Sequence, residues 1–131
     1  MKTIQVTAAV IFREDKILCV QRPEHAKSYI SKKWEFPGGK IEKGESAQEA
    51  LVREIREELS VEIQVSEFLM TVEHAYPDFH LTMHVFTCTL QSREMVLNEH
   101  VDSKWLPVAQ LDTLDWAAAD LPVVKRLRQL N

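Results

Sequence analysis

Three glutamates, Glu54, Glu57 and Glu58, are the residues of this chain whose type and spacing are best suited to chemistry. Positions three and four apart on a helix are neighbours, so we expect the three carboxylates on one helical face. Like charges so placed repel, and a helix that needed only stability would avoid them. Carboxylate oxygens are ligands that Mg²⁺ and Mn²⁺ prefer, and substrate phosphates usually complete the shell. The spacing therefore predicts a site for Mg²⁺, with Mn²⁺ as an alternative, that binds a phosphorylated substrate as its metal complex.

The helix that must carry these glutamates has a local start signal and an apolar side. Ser46 and Glu49 have the spacing of a capping box, in which each side chain accepts a hydrogen bond from the other residue's backbone amide. Apolar residues recur at helical spacing along the same segment: Ala47, Leu51, Ile55 and Leu59. We therefore expect a helix that packs one side inward and presents carboxylates along the edge of that side.

The residues around this helix support the same site. A tight loop before it is predicted by a proline and three glycines: Pro37, Gly38, Gly39 and Gly44. Arg53 lies four residues from both Glu49 and Glu57, so it could hold their carboxylates in place, and we include it among the catalytic residues. Ser60 follows the helix. If the helix exit requires a left-handed residue, serine costs roughly 1 kcal/mol relative to glycine.

The alternative interpretation of this stretch is a solvated amphipathic helix rich in charged residues. Residues 42–62 hold seven acids and three bases, a net charge of −4, which equals the net charge of the whole chain. The negative potential is therefore concentrated here, which favours a cation site over a merely solvated face.

The stretch from residue 39 to residue 61 resembles the signature box of the Nudix hydrolases, and only Ser60 departs, where the family usually has glycine. Residues 34–42, 76–80 and 118–122 also look like the corresponding stretches of MutT-type enzymes and of bacterial CTP pyrophosphohydrolases. The resemblance implies one Nudix domain over residues 1–131 with an α+β fold, an α/β/α sandwich built on a mixed β-sheet. It also implies hydrolysis of a nucleoside triphosphate to a monophosphate and diphosphate, through metal-assisted attack of water on a bridging phosphorus.

The family's roles carry over to particular residues. Gly39 would supply a backbone carbonyl to the metal, while Glu54, Glu57 and Glu58 would bind it through their carboxylates. Glu99 matches a distal carboxylate of MutT-type enzymes and would bind metal or orient the attacking water. Either Glu54 or Glu99 could act as general base, since each could accept a proton from a metal-bound water. Without the resemblance, Glu99 would be taken for an exposed loop carboxylate.

Four residues outside the box are candidates for substrate binding. Arg22 could pair with a phosphate through its planar guanidinium, or form an ordinary surface ion pair. Trp34 and Phe36 precede the glycines, so that one could face the sugar or base while the other packs inside. Asp120 matches the position of a base-reading asparagine in MutT-type enzymes.

Asp120 leaves the choice of base open. An ionised aspartate only accepts hydrogen bonds, which suits an exocyclic amine such as that of cytosine. It precedes a helix with Pro122 in its first turn, so it could equally serve as a helix cap. The substrate is therefore expected among modified or non-canonical nucleotides, either 8-oxo-dGTP or cytosine nucleotides.

The pattern along the chain predicts a mixed sheet flanked by helices. Strands are expected at residues 3–12, 16–22, 61–74, 79–90 and 101–106, with turns at 13–15, 76–78 and 91–94. Residues 23–33 are polar and irregular. A brief helical piece at residues 108–111 and a longer helix at residues 121–129 close the chain.

Composition narrows the function class. A chain of 131 residues with 45% hydrophobic residues suits one compact domain. No apolar run or leader pattern indicates a membrane span or secretion, so a cytoplasmic location is expected. Acids outnumber bases 20 to 16 without a basic cluster, which argues against a nucleic-acid polymer as partner. We expect a monomer or homodimer. A catalytically silent nucleotide-binding domain, acting as a sensor, is the alternative function.

Two further sets of side chains are expected to be structural. Cys19 and Cys88 lie in apolar strand-like runs, which predicts buried free thiols. Three histidines match no strong metal-binding pattern and are expected on strand surfaces: His74, His80 and His84.

Overall fold

The computed structural model describes residues 1–91 and 94–130, and this part of the chain forms a mixed β-sheet with one α-helix on each face. The strands are β1 (Thr3–Arg13), β2 (Lys16–Gln21), β3 (Trp34–Glu35), β4 (Gly38–Lys40), β5 (Ile63–Ala75), β6 (His80–Leu90) and β7 (Asp102–Pro107). The helices are α1 (Ala47–Leu59) and α2 (Leu121–Gln129), and two short 3₁₀ segments cover Val108–Thr113 and Ala118–Asp120.

The sheet is centred on β1, which runs parallel to β6 and antiparallel to β2 and β4. The main path of neighbouring strands is β3-β2-β1-β6-β5, while β7 pairs with β2. One parallel pair among antiparallel pairs makes the sheet mixed, as predicted. The pairing also brings β4, which directly precedes the α1 region, against the middle of β1.

Side-chain alternation along β1 divides the interior into two hydrophobic clusters. Ala8 and Val10 face the cluster that contains α2, whereas Ala9 and Ile11 face the cluster that contains α1. Each helix contributes fully or nearly fully buried apolar residues to its cluster: Leu51, Ile55 and Leu59 from α1, and Val123, Val124 and Leu127 from α2. Because successive strand residues point to opposite faces, one strand supports both layers, and the predicted α/β/α sandwich is confirmed.

Helix α1 begins and ends as its sequence predicts. The Ser46 hydroxyl accepts from the Glu49 amide at 3.0 Å, and the Glu49 carboxylate accepts from the Ser46 amide at 2.8 Å, which completes the capping box. Ser60 ends the helix with φ 56° and ψ 36°, the left-handed conformation. The helix therefore starts on a favourable motif and ends on a residue that bears a conformational cost.

The main difference from the sequence prediction lies before α1. Gly38 and Gly39, expected in a loop, belong to strand β4, because their backbone pairs with Ala8 and Thr7 of β1. Strand β3 was likewise not anticipated. The predicted turn at residues 91–94 includes positions 92 and 93, which lie outside the described residues.

Cys19 and Cys88 are buried free thiols, as predicted. Burial raises the pKa of each thiol to about 12. Within residues 1–91 and 94–130, no helix is long and apolar enough to cross a membrane.

Candidate active site

A cleft of about 620 Å³ is lined by residues of β1, β4, β6 and α1 and of the loops after β2 and before β7, and it collects most of the predicted site residues. The predicted residues that line it are Arg22, Phe36, Gly39, Glu54, Glu58, Glu99 and Asp120. Three predicted residues are not part of its lining: Trp34, Arg53 and Glu57. Residues distant in the sequence therefore meet at one cavity, with acids from α1 and from the loop before β7.

Glu58 is the most deeply buried of the three box glutamates. Its residue is only 6% exposed, and the Gly38 amide donates to its Oε1 at 3.2 Å. Burial and, after it, the negative charges of Glu35, Glu99 and Glu54 together raise the pKa of its carboxyl to about 9. A buried acid among other acids is stabilised by a bound cation, so this donor set fits a hard divalent metal.

Strand β4 lies close to β1 at Gly38 and close to α1 at Gly39. A Cβ atom at Gly38 would lie 2.0 Å from the Thr7 carbonyl oxygen, a backbone atom, so this position requires glycine. A Cβ atom at Gly39 would lie 2.3 Å from the Glu54 carboxylate, so that carboxylate would have to turn away. The backbone of Gly39 therefore lies directly against Glu54, which is the arrangement expected if both contribute oxygen ligands to one cation.

Arg53 ties the acids of α1 to strand β4. Its guanidinium donates to both carboxylate oxygens of Glu45, at 2.7 and 2.9 Å, and to the Lys40 carbonyl at 2.9 Å. It also contacts Glu54 at 3.0 Å and Glu57 at 3.3 Å. The hydrogen bond from Arg53 lowers the pKa of Glu45 to about 2, with help from the Glu42 amide.

The predicted contact between Arg53 and Glu49 is not formed. Glu49 is instead part of the capping box, and Glu45 takes the place expected for it. Sequence spacing on one helix could not show this, because Glu45 lies before the helix and reaches Arg53 only once the chain has turned.

The three box glutamates are not equally placed. Glu58 is buried, Glu54 lines the cleft while contacting Arg53, and the Glu57 side chain is 54% exposed. Across residues 1–91 and 94–130, no three acidic, histidine or cysteine side chains converge tightly enough to surround an ion.

Two residues of the cleft were missed by the sequence interpretation, Glu35 and His100. The Glu35 carboxylate accepts from Arg22 Nη1 at 3.3 Å and lies 2.9 Å from His100 Nε2. The His100 side chain is 4% exposed, and within the described part of the chain its Nδ1 has no hydrogen-bond partner. An acid between Trp34 and Phe36, in an otherwise apolar strand, was the signal available for Glu35.

Arg22 therefore forms the ion pair that was one of its two predicted roles, and it does so at the wall of the cleft. Its side chain is 44% exposed and would have to share or leave Glu35 to bind a phosphate.

Asp120 is buried, and its side chain does not cap α2. Its Oδ1 accepts from the Phe36 amide at 3.1 Å instead. Burial raises the pKa of Asp120 well above its ordinary value, and the negative charge of Glu35 adds to the shift. The side chain therefore does not take the capping role, and the raised pKa favours the protonated carboxyl, which can donate as well as accept, over the ionised acceptor expected from sequence.

The two aromatic residues before the glycines have separate positions. Phe36 lines the cleft and stacks on Trp116 at a ring distance of 4.6 Å. Trp34 packs in the core, with Lys104 Nζ 5.4 Å from its ring centroid. The substrate-binding role predicted for Trp34 does not fit this placement.

Residues 23–33 form one wall of the cleft through Pro23, Tyr29 and Ile30. This segment is fastened to the β5–β6 connection by Asp78, whose carboxylate accepts from both Lys27 and Tyr29. Tyr29 also stacks on Tyr76 at 5.3 Å. The middle of the wall is therefore attached through Asp78 and one ring pair, while its end is held by Gln21 Nε2 on the Lys32 carbonyl and by the ion pair of Lys33 with Asp115, each at 3.0 Å.

Known proteins resemble this chain along its whole length. The NUDIX domain family model matches residues 2–127. The CTP pyrophosphohydrolase of Escherichia coli K12 is 37% identical over all of this chain and 96% of its own length. The 8-oxo-dGTP diphosphatase of the same organism is 31% identical over 99% of this chain and all of its own length.

Solved structures agree with these relatives. The solution structure of the MutT protein from methicillin-resistant Staphylococcus aureus 252 is 40% identical, covers 100% of both chains and superposes with a TM-score of 0.77. The family match over residues 2–127, together with relatives above 30% identity that align end to end, shows that this chain belongs to the Nudix family.

Proposed function

We propose that this protein is a divalent-metal-dependent nucleoside triphosphate diphosphatase of the house-cleaning type, which converts a nucleoside triphosphate and water into a monophosphate and diphosphate. One observation carries the proposal: the Glu58 carboxylate is buried in a cleft that it shares with Glu54 and Glu99. Without a cation the buried Glu58 carboxyl is favoured in its protonated form, whereas a bound cation would stabilise the ionised acids. A triphosphate could approach these acids only as a metal complex.

The acids of the cleft have assigned roles in this proposal. Glu54, Glu57 and Glu58, with the Gly39 carbonyl and with Glu99, would hold Mg²⁺ or Mn²⁺. The metal supplies charge neutralisation of the phosphate oxygens and a lowered pKa of bound water. Glu54 or Glu99 accepts the proton of the attacking water, as the bridging P–O bond breaks and diphosphate leaves.

The remaining residues position these groups. Arg53 fixes Glu54 and Glu57 before substrate arrives and ties them to β4. Arg22 pairs with a phosphate through its planar fork, in exchange for part of its contact with Glu35. Phe36 and Asp120 line the part of the cleft proposed to receive the nucleoside.

Both 8-oxo-dGTP and cytosine nucleotides stay within the proposal. The names of the Escherichia coli relatives, a CTP pyrophosphohydrolase and an 8-oxo-dGTP diphosphatase, support both. A protonated Asp120 would donate as well as accept, so it would not favour the exocyclic amine of cytosine as an ionised carboxylate would. We expect Asp120→Asn to shift the ratio of kcat/KM towards 8-oxo-dGTP, because an amide offers a donor at every pH whereas a carboxyl offers one only while it holds its proton. An unchanged ratio would remove Asp120 from base recognition.

The test of the reaction is diphosphate release from a panel of nucleotides, measured with Mg²⁺, with Mn²⁺ and with a chelator. Glu57→Gln should lower kcat by roughly 100-fold or more and leave the unfolding temperature nearly unchanged, because it removes a metal ligand from an exposed position. Glu67→Gln, an exposed acid on β5, is the matched control and should keep full activity.

The alternative function, a catalytically silent nucleotide-binding domain, is separated by the same assay. Nucleotide binding without diphosphate release under any metal condition would establish it and contradict the proposed reaction. Four statements stay predictions: the single domain over residues 1–131, the cytoplasmic location, the monomeric or homodimeric state, and the exclusion of nucleic-acid polymers and membranes as partners.

A further inference from the structure

The loop that carries Glu99 is attached to the end of α1 by the residue before it, Asn98. The Asn98 side-chain amide donates to the Glu57 carbonyl at 2.9 Å, and its backbone amide donates to the Glu58 carbonyl, also at 2.9 Å. These carbonyls belong to two of the residues whose carboxylates are proposed to bind metal. One loop residue therefore connects the backbone of Glu57 and Glu58 to Glu99.

Ser60 completes this attachment. Its hydroxyl lies 2.9 Å from Asn98 Nδ2 and accepts the second hydrogen of the same amide. The residue is left-handed, with φ 56°, a conformation that glycine adopts at lower cost. The chain thus has a strained serine where glycine would be more stable, and its hydroxyl bonds to the residue that precedes Glu99.

The residues before Asn98 are also attached to α1 and its cluster. Val96 donates through its backbone to the Leu59 carbonyl at 2.9 Å, and its side chain is 56% exposed. Met95 and Leu97 are partly buried against the cluster that contains α1.

On the other side of Glu99, His100 lies 2.9 Å from the Glu35 carboxylate. Asn98 and Glu99 themselves are exposed. The hydrogen bonds of Asn98 to the last turn of α1 are therefore the contacts nearest to Glu99 on the side of the loop that faces the helix end.

We propose that Ser60 and Asn98 are positioning residues that fix Glu99 against Glu57 and Glu58, so that the three carboxylates address the same cation. The inference rests on the proposed function, because it gives Glu99 a part in the reaction. It assigns to Ser60 a role beyond ending the helix.

The first test compares variants that separate position from stability. Ser60→Gly and Ser60→Ala both remove the hydroxyl, but only glycine relieves the left-handed strain. We expect their unfolding temperatures to differ by roughly 3–5 °C, with glycine higher, because alanine keeps a Cβ atom in the left-handed conformation and glycine does not. Their kcat values should nevertheless fall by the same factor, roughly threefold. Asn98→Ala, which loses both side-chain bonds, should lose roughly tenfold in kcat at nearly constant KM.

The second test repeats these substitutions in a Glu99→Gln background. If Ser60 and Asn98 act through Glu99, none of the substitutions at these two residues lowers kcat further once Glu99 is replaced. Val96→Thr is the control, since it changes an exposed side chain of the same loop and keeps the backbone contact. It should keep wild-type kcat in both backgrounds.

The outcomes separate this inference from the proposed function. Any one of three results would overturn the positioning role alone. The first is a kcat that follows the unfolding temperature across the Ser60 variants, and the second is wild-type kcat in Asn98→Ala. The third is a loss of kcat that stays undiminished in the Glu99→Gln background. Wild-type activity in both Glu57→Gln and Glu99→Gln would overturn the proposed site itself, and the positioning role with it.

Discussion

At the scale of single residues, Arg53 is the side chain on which most contacts of the site depend. It contacts Glu45, Glu54 and Glu57 and the Lys40 carbonyl, and its own side chain is only 22% exposed. A lysine keeps the charge but cannot present five donors in one plane, so it could satisfy only part of this set.

We expect Arg53→Lys to lower the free energy of unfolding by about 1–3 kcal/mol, since charge-assisted hydrogen bonds in a partly buried site are lost. Urea unfolding with metal absent measures this. Arg56→Lys on the same helix is the control, because its ion pair with Glu62 is exposed on both sides and should change stability by less than about 0.5 kcal/mol. Equal losses of unfolding free energy in the two variants would show that the contacts of Arg53 stabilise the fold no more than an exposed ion pair does.

Asp120 gives a prediction about pH. Its pKa is raised above the ordinary 3.8, chiefly by burial and then by Glu35, so the folded state holds a proton that the unfolded state releases. Its contribution to stability is therefore full below about pH 3.8 and is lost as pH rises towards its folded pKa. Asparagine does not titrate, so Asp120→Asn removes this loss of stability at higher pH.

The unfolding temperature of Asp120→Asn should therefore rise relative to wild type as pH increases from 5 to 8. A thermal-unfolding series in metal-free buffers at constant ionic strength measures the difference. A difference that stays constant over this range would mean that Asp120 is ionised in the folded protein.

Residue roles were predictable where spacing alone determines proximity. Glu54, Glu57 and Glu58 lie on one helix, so their sequence positions already fix their shared edge. Glu35 and His100 are separated by 65 residues and meet only through the pairing of β2 with β3 and β7. No local pattern marks such a pair, and the protonation of Asp120 likewise depends on burial that only the fold creates.

At the scale of elements, Asp78 attaches the middle of the segment of residues 23–33. Asp78 holds both Lys27 and Tyr29, and Tyr29 lines the cleft. Because these contacts are exposed, they contribute modestly to global stability but decide how closely the wall stays against the cleft.

We expect Asp78→Ala to raise KM for the nucleotide roughly three- to tenfold with a smaller change in kcat, and to speed proteolysis within residues 23–33. Steady-state kinetics and limited proteolysis measure the two effects. Asp15→Ala, in the exposed β1–β2 turn, is the control and should change neither. An unchanged KM together with faster proteolysis would show that the wall does not contact the substrate.

The elements themselves were largely predictable, because alternation and helical spacing extend over many residues in β1, β5, β6 and α1. Strands β3 and β4 have only two and three residues, too short for any period to appear. They are strands only because β2 and β1 supply their hydrogen-bond partners.

At the scale of the whole molecule, the net charge of −4 is that of residues 42–62 alone, the segment that holds the box glutamates. Binding a divalent cation there should stabilise the entire fold, because the two hydrophobic clusters share β1 and α1 packs against one of them.

We expect Mg²⁺ at about 100 times its dissociation constant to stabilise the fold by roughly 2.7 kcal/mol, seen as a higher unfolding temperature. NaCl at matched ionic strength is the control and should give a much smaller increase. Glu58→Gln should lose most of the Mg²⁺ effect. An equal response to both salts would indicate general screening rather than a specific metal site.

The two buried cysteines of the sheet can be used to measure how readily its strands separate. With pKa values of about 12, the Cys19 and Cys88 thiols hold almost no thiolate near neutral pH. Burial therefore keeps both sulfurs unreactive towards oxidants in the folded protein. A thiol reagent would label these positions only while the strands are apart, so the labelling rate reports how readily the sheet opens.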